Sequence, residues 1–533
     1  MLRKVMLLAV VALLVAACGG GAPAPTATPA NLKTLRVAYD SSAARLFGET
    51  VLAFNAARIR VGEEILHVEA TAIASGDFTD SLTQGELPYD VIIPADQVWY
   101  ELLNAWRIER AQTALNFTCT PIARTPVVMI TWRAMAEVLG YPEREFTWND
   151  ITDLALSPSA WFGYDRPEWG NLSYGHAHPI LSHSGLVALL GEAYAVAPLT
   201  PSDVSSESVS SYVRAVERSV ARYGASSYDM ASLMAGRGKN YLHVLIGFES
   251  DMARITQPAD DQLIAIYPRE TFEATFSACA APNDPYVAAY VNYFQSNAQL
   301  VSAAGFRPLA DISNRVPGFD FLTYSVINTP QISVIRQLQD NWEVLKRPLN
   351  IALVIDVSGS MGQDNKMQGA IEGALAFVAR MGDEDRISLY SFDSTVRKLI
   401  AERRLGDNRE EVLTTIRGLR PVGGTALYDA TVQVRNEITT SSTRINAIIV
   451  LGDGQDTSSQ RYTLQQAREA IRNARGTALL YTIGYGRDAD GRALEDLASA
   501  GNGLYFFAQD AQTIERVYQE IATQVGGSRG AGR

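Results

Sequence analysis

Three short stretches in the last third of the sequence place oxygen-bearing side chains at the ends of apolar runs. In the first, the run from Asn350 to Ile355 reads as a central strand buried on both faces and opens into Asp356-Val357-Ser358-Gly359-Ser360. Alternation puts Asp356, Ser358 and Ser360 on one side where strand gives way to loop, so a carboxylate and two hydroxyls converge at a strand's carboxyl end. In the second, Gly423-Gly424-Thr425-Ala426-Leu427 sets Thr425 at the entry to a helix, and in the third, Ile449-Val450-Leu451-Gly452-Asp453-Gly454 sets Asp453 at another strand end. Two carboxylates and three hydroxyls suit a hard divalent cation, Mg²⁺ first and Mn²⁺ or Ca²⁺ as alternatives. Such a set leaves the cation with residual positive charge and one position open to an acidic side chain from a partner. Each stretch alone is an ordinary loop; the three in order, each at a strand end or helix start, describe a site.

The elements needed to hold these residues are legible around them. Met367, Ile371, Ala374, Leu375, Val378 and Met381 give the buried stripe of a helix directly after the first stretch. Strands at 386–392, 445–451 and 477–484 continue a doubly wound, mostly parallel α/β pattern. Asp356, Ser358, Ser360, Thr425 and Asp453 resemble, residue by residue, the metal-ion-dependent adhesion site of the von Willebrand factor type A family, and residues 349–525 are identified as such a domain. Gly452 departs from the Thr or Ser more usual in that family before the aspartate, leaving the ligand itself in place.

The first half also alternates strand and helix. Leu35 to Tyr39 is β-rich and ends at Asp40-Ser41-Ser42, Ala43 to Ala57 reads as a helix, and further strands are expected at 66–73, 89–94 and 126–132. Asp40-Ser41-Ser42, Tyr89 to Pro94, Ala123 to Val128, Gly175 to Ala193, Leu263 to Pro268 and Gly305 to Pro308 resemble phrases of bacterial extracellular solute-binding proteins. The resemblance covers residues 34–312 and implies a two-lobed fold of the type II periplasmic binding kind, hinged to close on a small solute. It also implies a strand at 124–132 crossing between lobes and a return near 264–285. Ser41, Ser42, Ser75, Ser184 and Gly185 are the candidate ligand contacts, because hydroxyls and free N–H groups at helix starts suit an oxyanion or polar solute; ordinary helix capping is the competing role for each. Cys119 and Cys279 are the cysteines beyond Cys18. In an oxidising compartment they are either bridged or two buried thiols. The resemblance places them near the two crossings, where pairing is geometrically easier.

Residues 313–348 form a linker in which Thr329-Pro330 starts an amphipathic helix carrying Ile332, Ile335, Leu338, Trp342 and Leu345, read as a packing helix between domains. Residues 526–533 read as a flexible tail. At the other end Arg3 and Lys4 precede an uncharged run from Val5 to Ala17, too short to span a bilayer and suited to a signal peptide over 1–17. Val15-Ala16-Ala17-Cys18-Gly19 resembles the lipobox of bacterial lipoproteins, which implies lipidation at Cys18 and extracytoplasmic anchoring through a Gly, Pro and Thr-rich tether over 18–33. With 533 residues, 47% of them hydrophobic, the chain exceeds one core, and a net charge of −12 argues against nucleic acid as a partner.

His176, His178 and His183 cluster in sequence as metal ligands can, but the solute-binding resemblance gives their segment a role as a cleft loop without metal. No nucleophile elbow, phosphate loop or dinucleotide fingerprint accompanies the serines, so no enzymatic activity is expected. The expected function is a membrane-anchored interaction protein binding an acidic group of a protein partner through the metal site, with a solute-binding module. The alternative is a solute receptor for a transport or sensing complex, the type A domain serving for docking.

Overall fold

The computed structural model describes residues 31–527 except 83, 84, 86, 158, 259, 310–323 and 475. The expected signal peptide and lipidation site Cys18, nearly all of the expected tether, the first part of the linker and most of the tail lie outside the described residues. Among the described residues no helix is long and apolar enough to cross a membrane.

The N-terminal part is built on a ten-stranded sheet made of β1 (Leu32–Asp40), β2 (Arg60–Val61), β3 (Glu64–Ile73), β4 (Val91–Ile93), β5 (Thr118–Trp132), β6 (Tyr174–Ala177), β7 (Val220–Gly224), β8 (Val244–Phe248), β9 (Leu263–Ile266) and β11 (Glu273–Ala280). Short β10 (Glu270–Thr271) and β12 (Ser325–Val326) pair apart from it. The order runs β2-β3-β1-β4-β11-β5-β8-β6-β7, with β9 also on β5. β1 lies parallel between β3 and β4, and its Leu35, Val37 and Ala38 are buried, as a strand covered on both faces requires.

β5 joins the two lobes. Its first part pairs antiparallel with β11, and Val127 to Trp132 pair with β8 and β9. It begins well before the expected 126–132, because Thr118-Cys119-Thr120-Pro121 has little hydrophobic signal of its own and is recruited by the pairing with β11. Cys119 and Cys279 stand directly opposite each other in that pairing, and the structure joins them in a disulfide.

The C-terminal sheet comprises β13 (Leu349–Asp356), β14 (Arg386–Phe392), β15 (Val396–Arg404), β16 (Ile445–Gly452), β17 (Leu479–Tyr485) and β18 (Tyr505–Ala508) in the order β15-β14-β13-β16-β17-β18. All pairs are parallel except the β14–β15 hairpin. β13 is central and every residue of it is buried.

The linker helix Ile332–Leu345 packs against helices His183–Tyr194 and Glu207–Glu217 of the second lobe. It buries Trp342 between His178 and Tyr223, at ring centroid distances of 4.6 and 5.5 Å. After it the chain turns into β13, and the end of the last helix, Ala511–Gln524, returns to the same place. There Lys346 donates to the Gly526 carbonyl, and the His178 Nε2 lies 2.9 Å from the Gly527 carbonyl oxygen. Gly526 has φ +75° and abuts the Tyr223 ring so closely that a Cβ would lie 2.5 Å from it, so both backbone and space call for glycine.

Candidate metal centre

The candidate metal residues occupy three loops at the carboxyl ends of β13 and β16 and at the start of helix Leu427–Glu437. The loops are tied by backbone bonds: Gly359 N–H donates to Gly423 O at 2.9 Å, and Val422 N–H to Val357 O at 2.6 Å. Gly423 makes this approach at φ +80°, where a side chain is strained and would crowd Asp393. Thr425 is buried, its N–H bonded to the Thr457 hydroxyl at 3.0 Å and its carbonyl accepting from Thr457 and Ser458 N–H. The segment after Asp453 is thereby laced onto the entry of helix Leu427–Glu437, where the Asp429 carboxylate also accepts from the N–H groups of Gln460, Arg461 and Tyr462.

Asp356 and Asp453 have no solvent exposure. Oδ1 of Asp453 accepts from the Ser360 hydroxyl at 2.7 Å and lies 3.5 Å from that of Ser358, and the two hydroxyl oxygens are 3.0 Å apart. Oδ1 of Asp356 accepts the Ser358 N–H at 2.8 Å. Burial pushes the Asp356 carboxyl up to about 7, the Asp453 charge acts in the same direction, and bonds from Ser358 pull against both. A buried carboxylate so poorly compensated gains from a neighbouring cation. The oxygen spacings bracket the roughly 3.0 Å edge of an octahedron with bonds near 2.1 Å, so the donor set fits a hard dication. At Gly452 an added Cβ would lie 3.7 Å from Asp356 Oδ2, so the departure leaves open space beside that oxygen.

One charged group intrudes. Lys366, at the start of helix Lys366–Ala379, is buried and places Nζ 3.0 Å from Asp453 Oδ2. One oxygen of Asp453 thus faces the serine hydroxyls and the other the Lys366 amine.

In the N-terminal part Ser41 and Ser42 form a single 3₁₀ turn after β1. The Asp40 carboxylate, itself buried, accepts from the Ser42 N–H at 2.9 Å, from the Ser42 hydroxyl at 2.6 Å and from the Ser75 hydroxyl. Ser41 is exposed. Ser184 is buried with its hydroxyl 2.9 Å from that of Ser182, and Gly185 packs on the backbone of Ala177 and His178. The structure therefore brings Ser42 and Ser75 together around Asp40 and places Ser184 and Gly185 inside helix His183–Tyr194. The three clustered histidines diverge. His176 lies on β6, His178 reaches the Gly527 carbonyl, and His183 Nδ1 accepts from Trp99 Nε1 at 3.1 Å.

The sequence pattern described as bacterial extracellular solute-binding protein matches residues 35–307, more than half of the chain. The chain belongs to this family. The pattern described as von Willebrand factor type A domain matches residues 350–520, so this solute-binding protein carries a type A domain behind its solute-binding part. It is 28% identical over 189 residues to inter-alpha-trypsin inhibitor heavy chain H3 of Rattus norvegicus, covering 33% of this chain and 21% of that one. It is 23% identical over 175 residues to an uncharacterized protein of Synechocystis sp., covering 33% of this chain and 41% of that one. The chain spans about a fifth of the length of the heavy-chain relatives it matches. Among solved structures, the sulfate-binding protein SubI from Mycobacterium tuberculosis H37Rv aligns at 18% identity over 59% of this chain and 97% of that one, with a TM-score of 0.38.

Two charged residues of this solute-binding protein escaped the reading of its sequence. Lys366 carried a signal, since a lysine in the first turn of a helix opposes the positive end of the helix dipole and calls for an anion nearby. Asp40 stood beside the two candidate serines, but nothing in the sequence shows that Ser75 would be brought to its other oxygen.

Proposed function

We propose that this protein is an extracytoplasmic interaction protein, held at a membrane through Cys18, that grips an acidic side chain of a protein partner at the type A domain. One observation carries the reading: Asp356 and Asp453 are fully buried at strand ends among hydroxyl residues, where two carboxylates call for a cation. Asp356, Ser358, Ser360, Thr425 and Asp453 are the residues to hold it. Bound Mg²⁺, Mn²⁺ or Ca²⁺ supplies an oxygen-seeking positive centre with a position open to a carboxylate. Lys366 occupies Asp453 Oδ2 and thereby leaves the loaded site more positive, which favours an anionic partner group. Beside the site runs a groove of about 550 Å³ lined by Met361, Met367, Ile371 and Leu375, with Arg417 and Arg420 exposed along it. The exposed Glu372 also lines it, and its floor suits an apolar partner residue. No residue of this arrangement is placed as an activated nucleophile, and the reading includes no enzymatic activity.

The test is capture of membrane-derived proteins on the full chain with Mg²⁺ or with EDTA. Capture that needs Mg²⁺ and is lost in Asp356→Ala supports the reading; capture unchanged by EDTA refutes it. A second reading, a solute receptor that docks through its type A domain, rests on membership of the solute-binding family. Against an anionic solute at Ser42 and Ser75 stands Asp40, which already takes their donors.

A further inference from the structure

Away from the type A domain, a second set of ligating side chains meets inside the second lobe. His176 comes from β6, Glu192 from helix His183–Tyr194 and Glu217 from the end of helix Glu207–Glu217, and none of the three has any solvent exposure. One ligating atom from each lies within 4.8 Å of the others. His176 Nε2 is 3.3 Å from Glu217 Oε1 and 3.7 Å from Glu192 Oε1. His176 Nε2, Glu217 Oε1 and Glu192 Oε2 are buried atoms without a hydrogen-bond partner.

The remaining polar atoms of the three side chains are all bonded, and the Glu192 Oε1 that faces His176 is among them. His176 Nδ1 donates to the Ala177 carbonyl at 2.8 Å, which leaves the Nε2 lone pair as the donor of a neutral imidazole. The Tyr174 hydroxyl donates to Glu192 Oε1 at 3.0 Å and the Tyr223 hydroxyl to Glu217 Oε2 at 2.7 Å. Such outer contacts fix ligand orientation at metal centres. The distances discriminate further. Shared protons would draw nitrogen and oxygen to about 2.7–2.9 Å, whereas 3.3 and 3.7 Å are near the edges of a tetrahedron with bonds of about 2.0–2.2 Å. Charge points the same way, because two buried carboxylates beside a neutral imidazole are costly alone and are balanced by one dication.

We propose that His176, Glu192 and Glu217 form a closed structural site for a divalent transition metal, zinc by its donor set. Nitrogen and carboxylate donors without solvent exposure select zinc over Mg²⁺, which prefers six oxygens and keeps its water. Glu192 Oε2, buried and without a hydrogen-bond partner, leaves that side chain a second oxygen for the ion. The site lies directly under the seat of the type A domain, since Tyr223 bonds Glu217 with its hydroxyl and packs on Trp342 and Gly526 with its ring.

The test uses the full chain produced in zinc-supplemented medium and washed with EDTA, with metal content read by mass spectrometry. About one zinc per chain is expected, retained in Asp356→Ala and lost in Glu217→Gln and His176→Gln. Cobalt-grown protein should show the visible absorption of a tetrahedral centre. Zinc near zero in the wild type, or zinc unchanged in a folded Glu217→Gln chain, overturns the proposal. The wild-type zinc and cobalt measurements decide the matter even where a variant fails to fold.

Discussion

Lys366 and Asp453 form a buried ion pair at 3.0 Å in which only one carboxylate oxygen is engaged, while the other accepts from Ser360. The lysine therefore competes with a cation for the charge of Asp453 and adds to the positive charge that a partner meets. Replacing it should raise affinity for the metal and lower affinity for the partner. Lys366→Met is expected to tighten Mg²⁺ binding about tenfold, roughly 1.4 kcal/mol, by calorimetry, while weakening metal-dependent capture of an acidic partner. Tightening of both would refute this division of roles.

The Asp356 carboxyl, raised to about 7, makes the metal effect depend on pH. A group whose folded-state value lies above its unfolded one stabilises fully below the unfolded value, and that contribution is lost as pH rises through the folded one. In EDTA, stability from Asp356 should thus fall between about pH 4 and pH 7. Mg²⁺ should offset the loss, so the Mg²⁺-induced rise in melting temperature should grow from pH 5 to pH 8 and vanish in Asp356→Ala. A rise of equal size at both ends of that range would count against proton–metal competition at this carboxylate.

Asp40 fills the donors of Ser42 and Ser75 with an internal anion. Asp40→Ala should free them, and sulfate or phosphate at millimolar concentration should then raise the melting temperature of the variant but not of the wild type. An equal response in both proteins would place any oxyanion elsewhere.

The bond between Cys119 and Cys279 closes a loop with a sequence separation of 160 across the two crossing strands. Cys119→Ser with Cys279→Ser should lower stability by roughly 2–5 kcal/mol in denaturant titration. The same loss should appear in the wild type on reduction, and no loss in either would show that β5 and β11 hold the lobes unaided.

His183 and His243 accept on Nδ1 from the indoles of Trp99 and Trp161 at 3.1 and 3.0 Å. Burial lowers them to about 3 and about 4, with Lys239 adding to the effect at His243. The unfolded chain takes up their protons first, so stability should fall as pH drops from about 6.5 toward 4. In histidine NMR spectra both rings should stay neutral at pH 5; titration near pH 6.5 would contradict the burial.

What the sequence made legible was set by locality. Asn350 to Ile355 and residues 386–392 read as strands because buried parallel strands are apolar throughout, and Asp356, Ser358 and Ser360 were found because the strand's own alternation groups them. Lys366, Asp40 with Ser75, and the meeting of His176 with Glu192 and Glu217 were hidden, since each joins residues from different elements through tertiary packing. The clustering of His176, His178 and His183 in sequence likewise leaves unsaid where each ring goes. His176 and His178 both pack on the Tyr223 ring, yet only His176 meets the two glutamates, and His183 turns to Trp99.

Asp356 and Leu349 are opposite ends of one strand, β13, and the chain on both sides of the type A domain is fastened near the Leu349 end, at Lys346 and Gly526. A partner pulling on the loops around Asp356 would load β13 along its length, some 25 Å at about 3.3 Å per residue. Its ladders to β14 and β16 would then have to fail in shear, many bonds at once, rather than peel one by one. A partner bound at Asp356 would thus meet mechanical tension along the strongest direction of the sheet.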